Sequence, residues 1–407
     1  MTDLGRRVLS DLAGFLNLGE GGGKAGLQQK NPDPFETFDW RSEMNIKSLL
    51  LGSAAALAAV SGAQAADAIV AAEPEPMEYV RVCDAFGTGY FYIPGTETCL
   101  KISGFIRVQG EFGRDEADDR WNQEDFGGQS TSDWDMFSRA YIAFDAKSDT
   151  EYGTLTGFFA AEFNADNDTD EGDSLIDVDE AYIQLGGFKA GFFYSWWDKG
   201  LNGETDSLGN VTEFNSIAYI YDGGTFQAGI SVDELEGTST KANGVGVTGI
   251  VSASLGGVAF DLLGSYDTEW EEGAIRALLS ADLGPGTFQI AGIWASDPNA
   301  YWADSEWTVA ASYRFNATDK FAITPAAQYW GSLQDSNTSF GNDDQWRVGI
   351  TTDYDITEGL ATRFTINYTD PDAGDEYVSG FLRLQREIGR AACRETGENG
   401  VGASSGT

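Results

Sequence analysis

Apolar and polar side chains alternate at every second position, and the pattern returns sixteen times along this chain. Successive Cβ atoms of a strand point to opposite faces, so a period of two describes a strand with one apolar and one polar side. Residues 100–112 show it first: Lys101, Ser103, Arg107, Gln109 and Glu111 alternate with Leu100, Ile102, Ile106, Val108 and Phe112, and only Phe105 breaks the polar face. Fourteen further runs fall into seven pairs, each joined by a short turn rich in Gly, Asp or Asn. The pairs are 136–146 with 154–164, 177–185 with 189–198, 217–221 with 225–232, 245–254 with 258–266, 275–283 with 287–295, 307–315 with 321–330, and 346–354 with 360–368. Residues 377–386 close the series, and a polar segment precedes each new pair.

An even strand count, spans near the roughly 9–11 residues that cross a bilayer at a tilt, and short turns alternating with long loops predict an all-β fold, a 16-stranded antiparallel transmembrane β-barrel. Both chain ends then lie on the side of the short turns. A large soluble β protein is the competing reading, but its outward faces would be polar. Here one face stays apolar and carries Phe144, Tyr194, Trp196, Trp307, Tyr313, Phe315, Phe321, Tyr329, Trp346, Tyr354 and Tyr368 as an aromatic cap. The mean hydropathy of −0.28 conceals these faces, because each apolar residue is averaged with a polar neighbour.

The chain contains no histidine, which removes the Ser-His-Asp triad, the Cys-His pair and the HExxH zinc site. With 65 acidic against 25 basic residues and a net charge of −40, it also lacks the cationic surface that nucleic-acid phosphates require. The sequence therefore implies neither an enzyme nor a nucleic-acid partner nor a cofactor. Gly244, Gly246 and Gly249 match GxGxxG, but they precede a strand rather than a helix and do not make a dinucleotide site.

Before the strands, Met44 opens a secretory signal: Lys47, an apolar run over 49–60, and the small-residue site Ala63-Gln64-Ala65, with cleavage after Ala65. The run is shorter than the roughly 20 residues of a membrane-spanning helix. Met44 is the expected natural start and residues 1–43 an upstream extension. Residues 66–79 read as a linker, 80–388 as the barrel, and 389–407, which lose the β period, as an artefactual disordered tail containing Cys393. Cys83 and Cys99, in an exported chain, are expected to form a disulfide closing a short loop, an effect of about 3 kcal/mol.

The block from Val80 through Cys83-Asp84-Ala85-Phe86-Gly87-Thr88-Gly89-Tyr90-Phe91-Tyr92-Ile93-Pro94-Gly95 and Cys99 to Arg107 resembles the opening of the alphaproteobacterial porin family, of the Rhizobiales type. The resemblance runs from the signal peptide to Arg386. It implies a homotrimer of 16-stranded outer-membrane barrels, surrounded by lipid and lipopolysaccharide. Small hydrophilic solutes would diffuse passively through barrels whose third loop folds into the lumen. Two features depart from the family: the residues before Met44, and the missing terminal aromatic near Ile388, which barrel assembly machinery reads. The resemblance thus implies weaker insertion than for a chain ending Arg386-Ser-Phe.

By count, the third loop is 199–216, and Glu204, Asp206 and Glu213 are its acids available to the pore. Alternation places Arg107 and Arg139 on the inner side of strands 1 and 2 at similar height. Arg347, Arg363 and Arg383 face inward on strands 14 to 16 at other heights. Opposed acidic and basic rows would set a transverse field across the constriction. In the alternative, each arginine pairs with a nearby carboxylate such as Glu111, Asp145 or Glu162. Asp166, Asp168 and Asp170 imitate a calcium loop, but Gly172 comes one position late and Asp177 replaces the bidentate Glu. They are a weak metal candidate, and a solvated acidic loop fits better. Tyr141, Tyr182 and Trp197 are candidate sugar-stacking steps, so a solute-selective channel is the second functional reading and a non-channel barrel, enzyme or adhesin, the third.

Overall fold

A computed structural model describes residues 81–113, 134–165, 176–237 and 244–389. The expected extension, signal peptide and linker, the tail from residue 390 onward with Cys393, and the Asp166, Asp168 and Asp170 cluster lie outside these residues. Sixteen long strands form one antiparallel sheet: β1 Cys99–Phe112, β2 Trp134–Thr150, β3 Gly153–Ala165, β4 Ile176–Leu185, β5 Phe188–Tyr194, β6 Glu213–Asp222, β7 Phe226–Glu234 and β8 Val245–Leu255. They continue as β9 Val258–Asp267, β10 Glu272–Leu283, β11 Gly286–Ala295, β12 Ser305–Asn316, β13 Phe321–Ser336, β14 Gln345–Thr357, β15 Leu360–Pro371 and β16 Tyr377–Ile388. Each strand pairs with its neighbour in sequence, and β16 returns to β1 from Gly380↔Phe112 to Ile388↔Gly104. The sheet is therefore closed, with no strand edge left unpaired.

Both faces follow the sequence period. On β14, Trp346, Val348, Ile350 and Tyr354 are exposed while Thr351 is buried; on β15, Phe364 and Ile366 are exposed while Thr365, Asn367 and Thr369 are buried. The same alternation sets exposed Ile230 and Val232 of β7 against buried Ser231 and Asp233. Soluble proteins seldom leave contiguous apolar patches above a few hundred Å² in water. A belt of such residues around a closed barrel is suited to hydrocarbon instead.

Several strand ends depart from the sequence reading, with β2 spanning Trp134–Thr150 rather than 136–146 and β13 Phe321–Ser336 rather than 321–330. β5 ends at Tyr194 rather than residue 198 because the chain turns there: Trp196–Asp198 form a 3-10 turn, and the Ser195 hydroxyl accepts a hydrogen bond from Trp197 N at 3.2 Å. β6 begins at Glu213 rather than 217, so the connection between them is 195–212. Tyr194 and Trp196 consequently leave the outward aromatic cap. Tyr194 donates to Asp179 Oδ1 at 2.7 Å, and the Trp196 ring packs over Gly229 on β7. The fifth long-loop connection is also short, residues 268–271 between β9 and β10.

Cys83 and Cys99 are disulfide-bonded, as expected from the sequence. The bond closes a hairpin in which Phe91–Tyr92 pairs with Cys99 and Leu100 at the start of β1. Tyr90 is buried against the two cysteines, and its hydroxyl donates to Asp145 Oδ2 on β2 at 2.5 Å. Lys147, 3.2 Å from the same carboxylate oxygen, lies 5.5 Å from the Tyr90 ring centre. The disulfide loop is thus fastened to the barrel wall at the short-turn end.

Candidate functional site

The 195–212 segment leaves β5 and returns to β6, with Ser195 N donating to Thr212 O at 2.7 Å to close its base. Between these points its contacts advance strand by strand. Trp197 Nε1 donates to Ser265 Oγ on β9 at 2.8 Å, and Lys199 Nζ pairs with Asp261 Oδ2 on the same strand at 2.7 Å. Arg276 of β10 donates to the carbonyls of Trp196, Trp197 and Leu208, the last two at 2.8 and 2.9 Å. Asn202 N donates to Gln289 Oε1 on β11 at 2.5 Å, and Gln328 of β13 both accepts from Ser207 N and donates to Ser207 O, each at 2.7 Å. Glu204 N donates to Thr351 Oγ1 on β14 at 3.0 Å, and Asn367 Nδ2 of β15 donates to Glu204 O at 3.1 Å.

These partners all sit on the strand faces opposite the exposed apolar residues. Apolar packing supports the polar contacts, since Trp197, Leu201 and Leu208 are buried with Leu263, Leu278, Tyr301 and Trp302. Tyr301 comes from the connection between β11 and β12, and its hydroxyl donates to the buried Asp233 carboxylate at 2.8 Å. Gly203 occupies φ +97°, and any Cβ there would lie 3.2 Å from Thr324 Cγ2. Both the backbone conformation and the space favour glycine.

The acids separate into different roles. Glu204 Oε1 accepts a hydrogen bond from Arg363 Nη1 and lies 3.7 Å from Arg383 Nη1. Asp206 turns back into its own loop, where its Oδ2 accepts from Leu201 N at 3.0 Å; burial pushes its carboxyl up, to about 6. Glu213 belongs to β6 and pairs in register with Tyr194. Of the three acids, Glu204 is the one joined to the arginines.

The arginines also divide differently from the sequence expectation. Arg139 pairs with Glu162 Oε2 at 2.7 Å and donates to Asn164 Oδ1, the neighbour pairing that the sequence left as an alternative. Arg107 lies opposite Arg139 in the β1–β2 register, donates through Nε to Gln385 at 2.9 Å, and has no ion pair among the described residues. Arg363 also pairs with Asp353 at 2.6 Å, and Arg347 donates to Thr369 Oγ1 and, at 3.4 Å, to Thr205 O. Arg139, Arg107, Arg383 and Arg363 thereby occupy four adjacent strands across the closure of the barrel. Arg276, Lys199, Gln289 and Gln328 escaped the sequence reading. Their signal was parity, because each sits on a polar face or in the long connection, but parity does not say which polar residue meets a loop.

The three aromatic candidates separate as well. Trp197 is only 1% exposed and has no free face, whereas Tyr141 stacks on Phe105 at 5.0 Å and Tyr182 on Phe158 at 5.1 Å.

A porin subfamily model matches residues 67–398. An outer membrane protein of Sinorhizobium fredii is 71% identical over 85% of this chain and 99% of its own length. Outer membrane protein IIIA of Rhizobium leguminosarum is 48% identical over 83% of this chain and 93% of its own, and porin Omp2a of Brucella suis 34% identical over 85% and 100%. The chain belongs to the alphaproteobacterial porin family. Solved structures agree on the fold of this porin. The outer membrane channel DcaP of Acinetobacter baumannii superposes with a TM-score of 0.55 at 12% identity, covering 73% of this chain and 99% of that one. A trimer form of OmpT from Vibrio cholerae gives 0.52 at 11% identity, covering 72% and 100%. The porin is a multi-pass outer-membrane β-barrel and, with its family, a diffusion channel.

Proposed function

We propose that this porin conducts small hydrophilic solutes and ions passively through a lumen narrowed by the 195–212 segment, with a charged constriction at Glu204. The observation that carries the reading is the ion pairing of Glu204, from the connection after β5, with Arg363 and Arg383 on β15 and β16. A segment joining β5 to β6 reaches those strands by crossing the barrel interior. Hydrogen bonds to β9, β10, β11, β13 and β14 along the way support the same path.

In this reading Glu204 is neutralised by its two arginines, and Arg347 steadies the loop backbone at Thr205. Arg107 and Arg139 continue the basic row along the open wall. Fixed charges at this spacing orient water and dipolar solutes and penalise apolar ones. The assembly is a homotrimer in outer-membrane lipid and lipopolysaccharide, a reading supported by the trimeric form of OmpT among the structural neighbours. Reconstitution in planar bilayers tests it: stepwise ohmic currents in grouped increments of three are expected, and a folded protein that carries no current would overturn it.

A further inference from the structure

We propose that the chamber of about 460 Å³ on the short-turn side of the 195–212 segment binds an uncharged polyhydroxylated solute of one or two sugar rings. This deepens the channel reading and rests on it. Small-molecule sites commonly occupy about 300–1,000 Å³ and combine aromatic surface with a few placed polar groups.

The chamber has both. Trp196 comes so close to β7 that a Cβ at Gly229 would lie within 2.4 Å of its ring, so glycine is what lets the indole rest on the wall. Trp196 is half-buried and lines the space, whereas Phe193 is buried with Lys189 Nζ 4.0 Å from its ring centre, and an aromatic surface like that of Trp196 suits the C–H face of a sugar ring. Gln227 and Ser252 pair across β7 and β8 and line the chamber. Their side chains form no hydrogen bond among the described residues. Gln289 uses its Oε1 on Asn202 N and keeps its amide NH₂ available.

Charge selects the solute class. Of the chamber's charged groups, Lys199 is paired with Asp261, Arg314 with Asp353, Arg363 with Asp353 and Glu204, and Lys189 with Glu180 at 3.9 Å, while Asp233 accepts from Ser216, Thr248 and Tyr301 and Asp222 accepts from Gly224 N. An ionic solute would have to compete with pairs already made, whereas a neutral polyol meets amides and a hydroxyl still open. A site built to hydrogen-bond hydroxyl groups rejects solutes that lack them.

Maltose is the probe, added to single reconstituted channels while current fluctuations are recorded. The expected result is a saturating response whose apparent Kd rises at least about fivefold in Gln227→Ala/Ser252→Ala, the effect of losing a hydrogen bond or two. Glucose 6-phosphate should bind more weakly than maltose. Ser252→Ala alone, with an expected rise of about threefold, carries the test should the double variant fail to insert. A response linear in maltose, an unchanged Kd in the variant, or tighter binding of the phosphorylated sugar would overturn the chamber while leaving a conducting channel intact. Absence of current in the wild type would instead strike the channel reading.

Discussion

Arg276 shows how a single side chain holds the 195–212 segment in place. It is 2% exposed, and its guanidinium donates to three loop carbonyls that would otherwise be buried without partners. Arg276→Ala should therefore loosen the segment by about 3 kcal/mol, the scale of one or two charged hydrogen bonds. The expected readout is a larger, noisier single-channel conductance from a barrel that still folds; an unaltered current trace would contradict it. Arg107 carries a further test of the proposed basic row, at the level of ion selectivity. Arg107 makes no ion pair with a described carboxylate, so Arg107→Ala should remove a positive charge from the proposed basic row and shift the reversal potential in a salt gradient toward cation preference. Acidity gives a third residue-level test at Asp206. Its folded pKa, raised by burial to about 6 from 3.8, means that the folded loop holds a proton more tightly than the unfolded one. Stability from this group is then greatest at low pH and declines as pH rises between those values. Asp198 is raised in the same way, to about 6, with burial as the main cause. Lowering the pH from 7 to 5 should thus quieten loop fluctuations, and Asp206→Asn should weaken the effect; noise that increases over that range would oppose the assignment.

The elements were legible to different degrees, for physical reasons. All sixteen strands were readable because a half-apolar strand in a barrel must alternate, and the short turns must carry Gly, Asp or Asn. The ends of β5 and β6 were not. Aromatic residues 192–197 keep an alternating look beyond Tyr194, yet Ser195 caps a turn there and Trp196 swings against Gly229. Of the candidate site, the arginines of β15 and β16 could be named from parity, and Glu204 from its place in the third loop. Their pairing could not, since it depends on how far the loop travels around the wall. Sequence favoured Arg107 and Arg139 as its counterparts, whereas the loop tip stops at Arg363 and Arg383. The disulfide hairpin was legible as a bond but not as a fastening: Tyr90, which reaches Asp145, gave no periodic signal. Replacing both cysteines, Cys83→Ser/Cys99→Ser, should cost about 3 kcal/mol in the closure of this short loop. Proteolysis between the two positions checks it, with faster cleavage expected and an unchanged rate arguing against a structural role.

Across the whole molecule, closure of β16 on β1 lets a chain of high acidity and low mean hydropathy present a continuous apolar belt outward. In the proposed channel the interior is polar on one side, where Arg139, Arg107, Arg383 and Arg363 lie, and filled on the other, where Trp197, Tyr301 and Trp302 are buried together. Under that proposal, an asymmetric interior of this kind would set both pore width and field. Cross-linking reports whether the 195–212 segment crosses the barrel with Gly203 against β13. A Cβ at residue 203 would lie 3.6 Å from Thr324 Cβ, within the roughly 3.5–4.5 Å that a disulfide requires. In an otherwise cysteine-free background, Gly203→Cys/Thr324→Cys should cross-link under oxidation in the folded barrel and keep a constricted conductance. A folded, conducting barrel in which the two cysteines stay reduced would contradict the account.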